Sequence, residues 1–529
     1  MSWAHTWTGL LFGWVLYFMF LTGSAGYYDS ELDAWMEPER APAIEYSDPL
    51  PLMNVAKKHV EENYSNVTTF SIFLPYERSF SPYIRVFLMY QDGEGKTVRE
   101  DMELLTDGTI APEGRDTGGG QTLYRMHWTF HYVPRQVGEI IAGLATIFMF
   151  AAIVSGIITH KKIFKDFFTL RFSKGQRSWL DAHNVVSVMT LPFQIMITFS
   201  GILLIVTTFF LPIFVAQYGY DETTVATVSE EMFGVKPPVE RSGVELPLAD
   251  FSDLLDKFET EFPGEPMVYA LITNPGDETS TIKFHGKIDQ SIMRDTPHII
   301  FDGTTGTITE LLTRDIRNTS SFQDIFEGLH EGLFAGPILR ILYFISGLLG
   351  AGMIATGLVL WTTKRRQKLR DNEKAQRNLI IIERLNVGVV AGLATAIAAY
   401  FYANRLLPID LTERAEWEVH ILFLTWLTLI LHSLVRKPSK AWVEQLAIAA
   451  IAFAILPVLN AATTSLHLGN TLPMPGRPGD MALAGVDLWF LVIAAGFAYA
   501  AHKASKKHHI VTKPNNSRQQ ETSALEPAE

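Results

Sequence analysis

Residues 5–23 read HTWTGLLFGWVLYFMFLTG and residues 183–201 read HNVVSVMTLPFQIMITFSG. Each apolar stretch begins with a histidine and ends, after the same interval, with a hydroxyl residue and a glycine. An ionisable side chain at the end of a membrane helix is costly unless it has a partner or a function. The repeated spacing therefore marks His5 and His183 as candidate functional residues at equivalent ends of two duplicated helices.

The chain is long enough for several domains, and its apolar residues are concentrated in blocks that suit a membrane. It has 529 residues, of which 48% are hydrophobic, and the blocks run for roughly 18 to 25 residues, the length that crosses a bilayer. The sequence predicts a polytopic α-helical membrane protein with about eight transmembrane helices. The predicted membrane segments are 1–26, 138–159, 183–211, 337–361 and a four-helix region at 385–501.

The basic residues predict the orientation. The segment 161–177 holds six Lys and Arg against one acidic residue, and 364–377 holds seven against two. Cytoplasmic loops carry such an excess, so both termini are expected in the cytoplasm. The predicted cytoplasmic segments are then 160–182, 362–384 and the tail 502–529, whose polar composition predicts disorder, and the predicted outer segments are 27–137 and 212–336.

Charge and cysteine content exclude several functions. The net charge is −12, which disfavours nucleic acid as a partner. The chain has no cysteine, so it forms no disulfide, iron–sulfur cluster, catalytic thiol or covalent heme attachment. Any heme in this protein is therefore held non-covalently.

The two outer segments have similar predicted elements. In the first, a helix at 52–64 precedes strands at 69–74 and 84–90 and a turn at Asp107-Gly108. The second repeats this order, with a helix, two strands and a turn at 251–262, 267–272, 281–285 and Asp302-Gly303. This order is similar to the small α+β PepSY domain. An internal duplication, in which a unit of helix, PepSY-like domain and helix occurs twice, is the economical explanation.

Further histidines occupy related positions in the two copies. His127 and His330 lie just before the second and fourth predicted helices, on the outer side. His131 follows His127 by one helical turn and is an alternative ligand at that position. His160 follows the second helix on the cytoplasmic side and has no counterpart in the second copy. It is an alternative inner ligand or a partner of a heme propionate.

Four histidines at two depths suggest two b-type hemes, because two neutral imidazoles from separate helices can hold one iron from both sides. The duplication pairs His5 with His183 on the inner side and His127 with His330 on the outer side. For any one of these residues considered alone, an ordinary interfacial role at the membrane boundary is the competing interpretation. The sequence has no dinucleotide fingerprint, no Walker loop and no zinc-protease motif. Electrons are therefore expected from a quinol or from a reductase partner.

Five strings carry a resemblance to a known family: HTWTGL at 5–10, SGIITHKK at 155–162, SWLDAHN at 178–184, LHEGLF at 329–334 and TGLVLW at 356–361. They resemble the PepSY-associated transmembrane helix proteins, which are linked to iron uptake and include inner-membrane ferric-siderophore reductases. The resemblance covers about 1–405, and the last four helices match less distinctly.

The resemblance implies a multi-pass protein of the bacterial inner membrane that binds b-type heme through membrane histidines. It also implies a heme-dependent enzyme that reduces Fe(III) in a siderophore on the periplasmic side and releases Fe(II), with no catalytic residues beyond the hemes. His5, His183, His127 and His330 match family histidines, and His160 matches in a subset. His131 departs from the family pattern and leaves the outer pair open.

Two other classes of function compete with the reductase. In one, the eight helices form a permease for iron or a siderophore, and the PepSY-like domains capture the cargo. Few charged residues lie within the predicted spans, Asp487 being the main one, and this argues against an ion path. In the other, the protein is a non-enzymatic regulator, because PepSY domains also occur beside proteases as inhibitory modules. Membrane lipid is an expected partner in all three cases.

Overall fold

A computed structural model gives the fold of the chain. The structure describes residues 2–512 except for 41–47, 77–80, 160–162, 168–170, 172–175, 206–212, 214, 218, 220–238, 289–290, 314–318, 370–371 and 476–478.

Helices make up most of the described chain. In chain order they are α1 Ser2–Ala25, α2 Asp29–Met36, α3 Pro49–Asn63, α4 Gly119–Thr129, α5 Arg135–Thr159, α6 Ile163–Asp166, α7 Gln176–Met189, α8 Leu191–Leu204, α9 Phe251–Glu261, α10 Thr319–Glu331, α11 Pro337–Lys368, α12 Glu373–Leu406, α13 Arg414–Val435, α14 Pro438–Thr463, α15 Leu468–Thr471 and α16 Met481–Thr512. Within the described residues, seven helices are long and apolar enough to cross a membrane, or eight if the bent pair α7 and α8 is one span.

The strands form one sheet at one end of the helices. They are β1 Val67–Phe73, β2 Ile84–Gln91, β3 Thr97–Leu104, β4 Met267–Thr273, β5 Thr281–Gly286, β6 His298–Asp302 and β7 Ile308–Leu312. Their order is β3-β2-β1-β4-β5-β6-β7. The two outer segments, which the sequence predicts as two domains, therefore share a single seven-stranded sheet. We call this end of the molecule the sheet side and the opposite end the far side.

The two halves of the sheet are joined by the antiparallel pairing of β1 with β4, in which Phe70 lies opposite Ile272. One helix from each half covers the same face of the sheet, and together they bury a single core. Both helices begin in the same way: the carboxylate of Asp48 accepts the N–H of Leu50, and that of Asp250 accepts the N–H of Ser252. Such capping satisfies a backbone donor at the start of a helix. The two copies therefore have the same aspartate cap at the start of the helix that covers the sheet.

The membrane helices of the two copies pack as a related pair. α1 contacts α5 and α11, while α7 contacts α11 and α8 contacts α5. The short helices α4 and α10, which the sequence analysis did not predict, lie against α1 and α8 respectively. Each copy therefore contributes one long helix, one short sheet-side helix and one helix that returns to the far side.

Three predicted boundaries differ from the observed elements. The predicted span 183–211 begins earlier, at Gln176, and bends by 68° between α7 and α8. Pro192 lies in the first turn of α8, where its missing N–H and its ring disfavour a continuous helix. The predicted linker 362–384 is largely helical, because α11 continues to Lys368 and α12 starts at Glu373. Of the predicted tail 502–529, the first part is helical, because α16 continues to Thr512, and 513–529 lie outside the described residues.

The last four long helices are anchored to the duplicated part by buried charges. Arg414 and Glu418, one turn apart at the sheet-side end of α13, both have 0% of the side chain exposed, and their Nη1 and Oε1 atoms are 2.6 Å apart. Arg414 donates to the carbonyl of Asp116 at 2.9 Å, and Glu418 accepts the hydroxyl of Thr117 at 2.6 Å. The pair therefore connects α13 to the segment that leads into α4.

Replacing Arg414 with Met should destabilise the protein, because Glu418 then keeps a buried charge without its partner. Breaking a buried pair in this way costs about 3–5 kcal/mol. The matched control is Arg366→Met, which removes the partner of Glu383 on the far side, where 59% of the arginine side chain is exposed. An exposed pair contributes about 0–1 kcal/mol. Thermal unfolding of the purified protein in detergent should show a large decrease in melting temperature for Arg414→Met and little change for Arg366→Met. Equal effects would contradict the anchoring role.

Candidate functional site

His5 and His183 face each other on the far side of the membrane helices. His5 lies on α1 and His183 on α7, and their ring centres are 6.4 Å apart with an angle of 66° between the ring planes. The Nδ1 atom of His5 is 2.8 Å from the carbonyl oxygen of Ala152, and that of His183 is 2.9 Å from that of Met353. Since a carbonyl only accepts, each Nδ1 carries the proton, and the lone pair of each ring is on Nε2. This is the usual arrangement of metal-binding histidines.

His127 and His330 form a second pair on the sheet side. They lie on α4 and α10, and their ring centres are also 6.4 Å apart, with an angle of 19° between the planes. The Nδ1 atom of His127 contacts the carbonyl oxygen of Tyr124, and that of His330 is 2.9 Å from the hydroxyl of Ser200. Burial lowers the pKa of His127 to about 4 and that of His330 to about 3. Both rings are therefore neutral at pH 7, as metal binding requires.

A glycine from a neighbouring helix lies against each of the four rings. A Cβ atom built on Gly156 would lie 3.2 Å from Cε1 of His5, and one on Gly357 would lie 3.2 Å from Cε1 of His183. On the sheet side, a Cβ on Gly23 would meet His127 at 3.4 Å, and one on Gly201 would meet His330 at 3.3 Å. These distances are tighter than ordinary contacts. The four glycines, which we call the glycine seats, therefore leave the space that each imidazole occupies.

The separation of the rings suits one metal ion between each pair. A metal–imidazole bond is about 2.1 Å, and the nitrogen is about 1.1 Å from the ring centre, so two axial imidazoles on one ion have centres about 6.4 Å apart. Both pairs have this separation. The glycine seat of His127 follows His5 by 18 positions on α1, which corresponds to about 27 Å of helix. The two pairs thus lie near opposite faces of a membrane about 30 Å thick.

A cavity of about 740 Å³ adjoins the sheet-side pair. Both His127 and His330 line it, as do Phe20 and Phe193 of the membrane helices. Towards the sheet its wall becomes charged; the residues there include Asp29, Arg135, Glu139, Arg294, Glu327 and Glu331. The cavity can therefore hold a large, mainly apolar group whose polar edge lies among charged side chains.

Buried donors without partners occur near both pairs. Among the described residues, the indole Nε1 atoms of Trp128 and Trp361 are buried and have no hydrogen-bond partner. Trp128 follows His127 and lines the cavity. Trp361 is one helical turn after the glycine seat Gly357, so it lies on the same face of α11. Leaving a buried donor unpaired costs about 1–3 kcal/mol, and an anionic group bound beside each pair would accept these hydrogens.

One of the two alternative ligands from the sequence, His131, lies away from both pairs. His131 points away from the sheet-side pair, and its Nε2 is 2.9 Å from the carboxylate of Glu416 on α13. Its neighbour Tyr132 bonds through its hydroxyl to His420 at 2.5 Å. The four residues connect the start of α5 with α13, and the partner that His330 faces is His127. His160 lies outside the described residues.

From the sequence, the glycines served only to compare the spacing of the two copies, and their contacts with the histidine rings were not predicted. The signal was present, because Thr22-Gly23, Ser155-Gly156, Ser200-Gly201 and Thr356-Gly357 are four dipeptides of one kind on four membrane helices. Their hydroxyls contribute too: Ser200 contacts His330, and Thr356 lies 3.4 Å from Nδ1 of His183. Trp128 and Trp361 carried no signal in the sequence.

The helices and the paired histidines define a multi-pass membrane protein built on a duplicated unit of helix, sheet and helix. A family model described as the PepSY-associated TM region matches residues 2–364. The match covers more than half of the chain, so the chain belongs to this family, which confirms the resemblance seen in the sequence. It ends near the end of α11, so the last four long helices lie beyond it. A search of the curated proteins finds no match to this chain.

Proposed function

We propose that this protein is an oxidoreductase of the bacterial inner membrane that holds two b-type hemes and reduces Fe(III)-siderophores on the periplasmic side. The observation that carries the proposal is the presence of two histidine pairs with ring centres 6.4 Å apart. His5 and His183 would hold one heme, and His127 and His330 the other. Bound in this way, a heme supplies an iron that carries one electron as it changes between Fe(III) and Fe(II).

The residues around the pairs fit such a group. The Nδ1 hydrogen bonds of His5 and His183 leave the Nε2 lone pair of each ring for a metal, and the glycine seats let the rings lie close to the helix backbones. The unpaired indole donors of Trp128 and Trp361 suit propionates. The apolar lining of the sheet-side cavity suits the face of a porphyrin. Two sites near opposite faces divide the distance that an electron must cross.

The substrate would be reduced on the sheet side. Charged side chains at the rim of the cavity, among them Arg135 and Arg294, are suited to contact a polar chelate. Its Fe(III) accepts one electron and becomes Fe(II), which hydroxamate and catecholate oxygens hold less tightly. The electron would come from the cytoplasmic side, from a quinol or a reductase partner. The excess of Lys and Arg in segments 161–177 and 364–377 supports a cytoplasmic location for the far side and for both termini.

The first test is the heme content of the detergent-purified protein. We expect about two b-type hemes per chain by pyridine hemochrome analysis, and one after His183→Ala or His330→Ala, because each variant removes one of the two histidines that would hold a heme. The matched control is His131→Ala, which removes a histidine that bonds to Glu416 and lies outside both pairs. The proposal would be contradicted if protein purified from heme-replete cells contained no heme. It would also be contradicted if His131→Ala lost as much heme as His183→Ala and His330→Ala.

A second test concerns the glycine seats and changes no histidine. Gly357→Val should reduce the heme content by about one per chain, because the new side chain takes the space of the His183 ring. Gly352→Val is the matched control on the same helix, since a Cβ atom at Gly352 meets nothing within 4 Å. The spectra of both variants are compared at equal protein concentration. Full heme content in Gly357→Val would show that the seat is unnecessary.

A third test addresses the substrate. Dithionite-reduced protein, freed of excess reductant, should be reoxidised by a ferric hydroxamate siderophore and should release Fe(II), which ferrozine detects. The gallium complex of the same siderophore is the control, because Ga(III) has a similar size and charge but accepts no electron under these conditions. Reoxidation by the ferric complex supports the reductase if one Fe(II) is released for each electron that the reduced protein loses. A reduced spectrum that stays unchanged with several ferric siderophores would contradict it.

A further inference from the structure

Two histidines of the sheet lie directly opposite each other on neighbouring strands. His285 of β5 is paired in register with His298 of β6. Their neighbours Phe284 and Ile299 are fully buried in the core, so the histidines project from the other face of the sheet, because successive residues alternate. The two ring centres are 4.9 Å apart. Regular strand pairing thus holds the two imidazoles side by side.

The loop between these strands adds a carboxylate and a residue that positions both rings. The hydroxyl of Thr296 is 3.0 Å from Nδ1 of His285, and its carbonyl oxygen is 3.2 Å from Nδ1 of His298. Asp295 precedes it, with one carboxylate oxygen 3.9 Å from Nδ1 of His298. One donor atom from each of His285, Asp295 and His298 lies within 4.8 Å of the other two.

A second carboxylate next to this cluster has an unsatisfied oxygen. Asp324 of α10 accepts the backbone N–H of Asp295 through Oδ1 at 2.5 Å. Its other oxygen, Oδ2, is buried and has no hydrogen-bond partner among the described residues. A buried carboxylate oxygen without a donor is costly and favours a nearby cation.

We propose that His285, Asp295 and His298 form a binding site for one divalent first-row transition-metal ion. Two imidazoles and a carboxylate are the donor set that proteins use for Zn²⁺ and Fe²⁺. Donor atoms around one such ion are about 3.0–3.4 Å apart, so binding requires the longest separation to shorten. Half of the Asp295 side chain is exposed, and rotation of this carboxylate supplies the movement.

Lys283 opposes the binding of a cation at this site. It precedes His285 by two residues on the same face of β5. Burial lowers the pKa of both histidines, and the charge of Lys283 lowers it further. Burial in turn lowers the pKa of Lys283. Removing this positive charge should therefore strengthen metal binding, whereas a merely structural histidine pair predicts no such gain.

The proposed metal site lies close to the sheet-side histidine pair. Arg294, the residue before Asp295, lines the cavity and pairs with Glu331 at 2.8 Å, and Glu331 follows His330 in the chain. The metal site itself does not depend on the proposed function. The role of the metal site rests on the proposed function. In a ferric-siderophore reductase, the site would receive the Fe²⁺ that reduction releases. Imidazole and carboxylate groups can bind this ion without the siderophore.

The test is a titration of the full-length, heme-loaded protein in detergent with Zn²⁺ after treatment with chelator. Isothermal titration calorimetry should find a component of one Zn²⁺ per chain that His298→Gln weakens at least tenfold. His59→Gln is the matched control, because His59 belongs to the other half of the outer domain and bonds to Gly108. Thr296→Val should weaken binding by about 10- to 100-fold, the usual effect of losing a group that orients a ligand.

A second variant, Lys283→Met, should bind Zn²⁺ several-fold more tightly. Misfolding of the variant cannot explain such a gain in affinity. The proposal is overturned if no Zn²⁺ binds, if His298→Gln and His59→Gln bind alike, or if Lys283→Met leaves the affinity unchanged. The heme spectrum of the same sample separates the two proposals. Zinc binding without heme would contradict the reductase alone, and heme without zinc binding would contradict the metal site alone.

Discussion

The contact between an imidazole ring and a glycine of the neighbouring helix is the interaction on which the architecture of the candidate site depends. A histidine in a membrane bundle needs a partner for its polar atoms and space for its ring. The carbonyl groups of Ala152 and Met353 satisfy the first need on the far side, and Gly156 and Gly357 satisfy the second. Small residues at helix contacts are common in membranes because they let backbones approach closely. In this protein the glycines leave space for the imidazole ring of a histidine.

The duplication explains why this contact occurs four times. Each copy presents one histidine from its first long helix and one from its short sheet-side helix, and each histidine meets a glycine of another helix. The single sheet also ties the copies together, because β1 of the first copy pairs with β4 of the second. The short helices α4 and α10 lie between the sheet and the membrane helices in the chain. Their position fixes the separation of His127 and His330, which come from opposite copies.

Much of the fold followed from the sequence, and the parts that did not have physical reasons. Apolar length predicted the membrane helices, and alternation predicted β1, β2, β4 and β5. The pairing of β1 with β4 is a contact between residues about 200 positions apart, which no local pattern encodes. The charged segment 362–384 has the composition of a linker but continues two helices, because helix propensity tolerates charge. Pro192 marks a possible break of the helix in the sequence, but the angle of the bend depends on how the two halves pack.

The histidines of the site were found because their spacing repeats, and their pairing followed from the duplication. The sequence left His131 as a rival to His127, because one helical turn separates them. In the structure the helix ends between the two histidines: α4 stops at Thr129, and Phe130 and His131 adopt left-handed conformations. This turn directs His131 to Glu416 of α13. Periodicity alone extends a helix through this point and places both histidines on one face.

Electron paramagnetic resonance of the oxidised protein tests most directly whether each histidine pair binds one iron through two imidazoles. The ring planes make an angle of 66° in the far-side pair and 19° in the sheet-side pair. The relative orientation of two axial imidazoles sets the shape of a low-spin ferric signal. We therefore expect two low-spin signals of equal intensity, a highly anisotropic one from the far-side pair and a rhombic one from the sheet-side pair. High-spin iron alone, or no ferric heme signal, would contradict the claim.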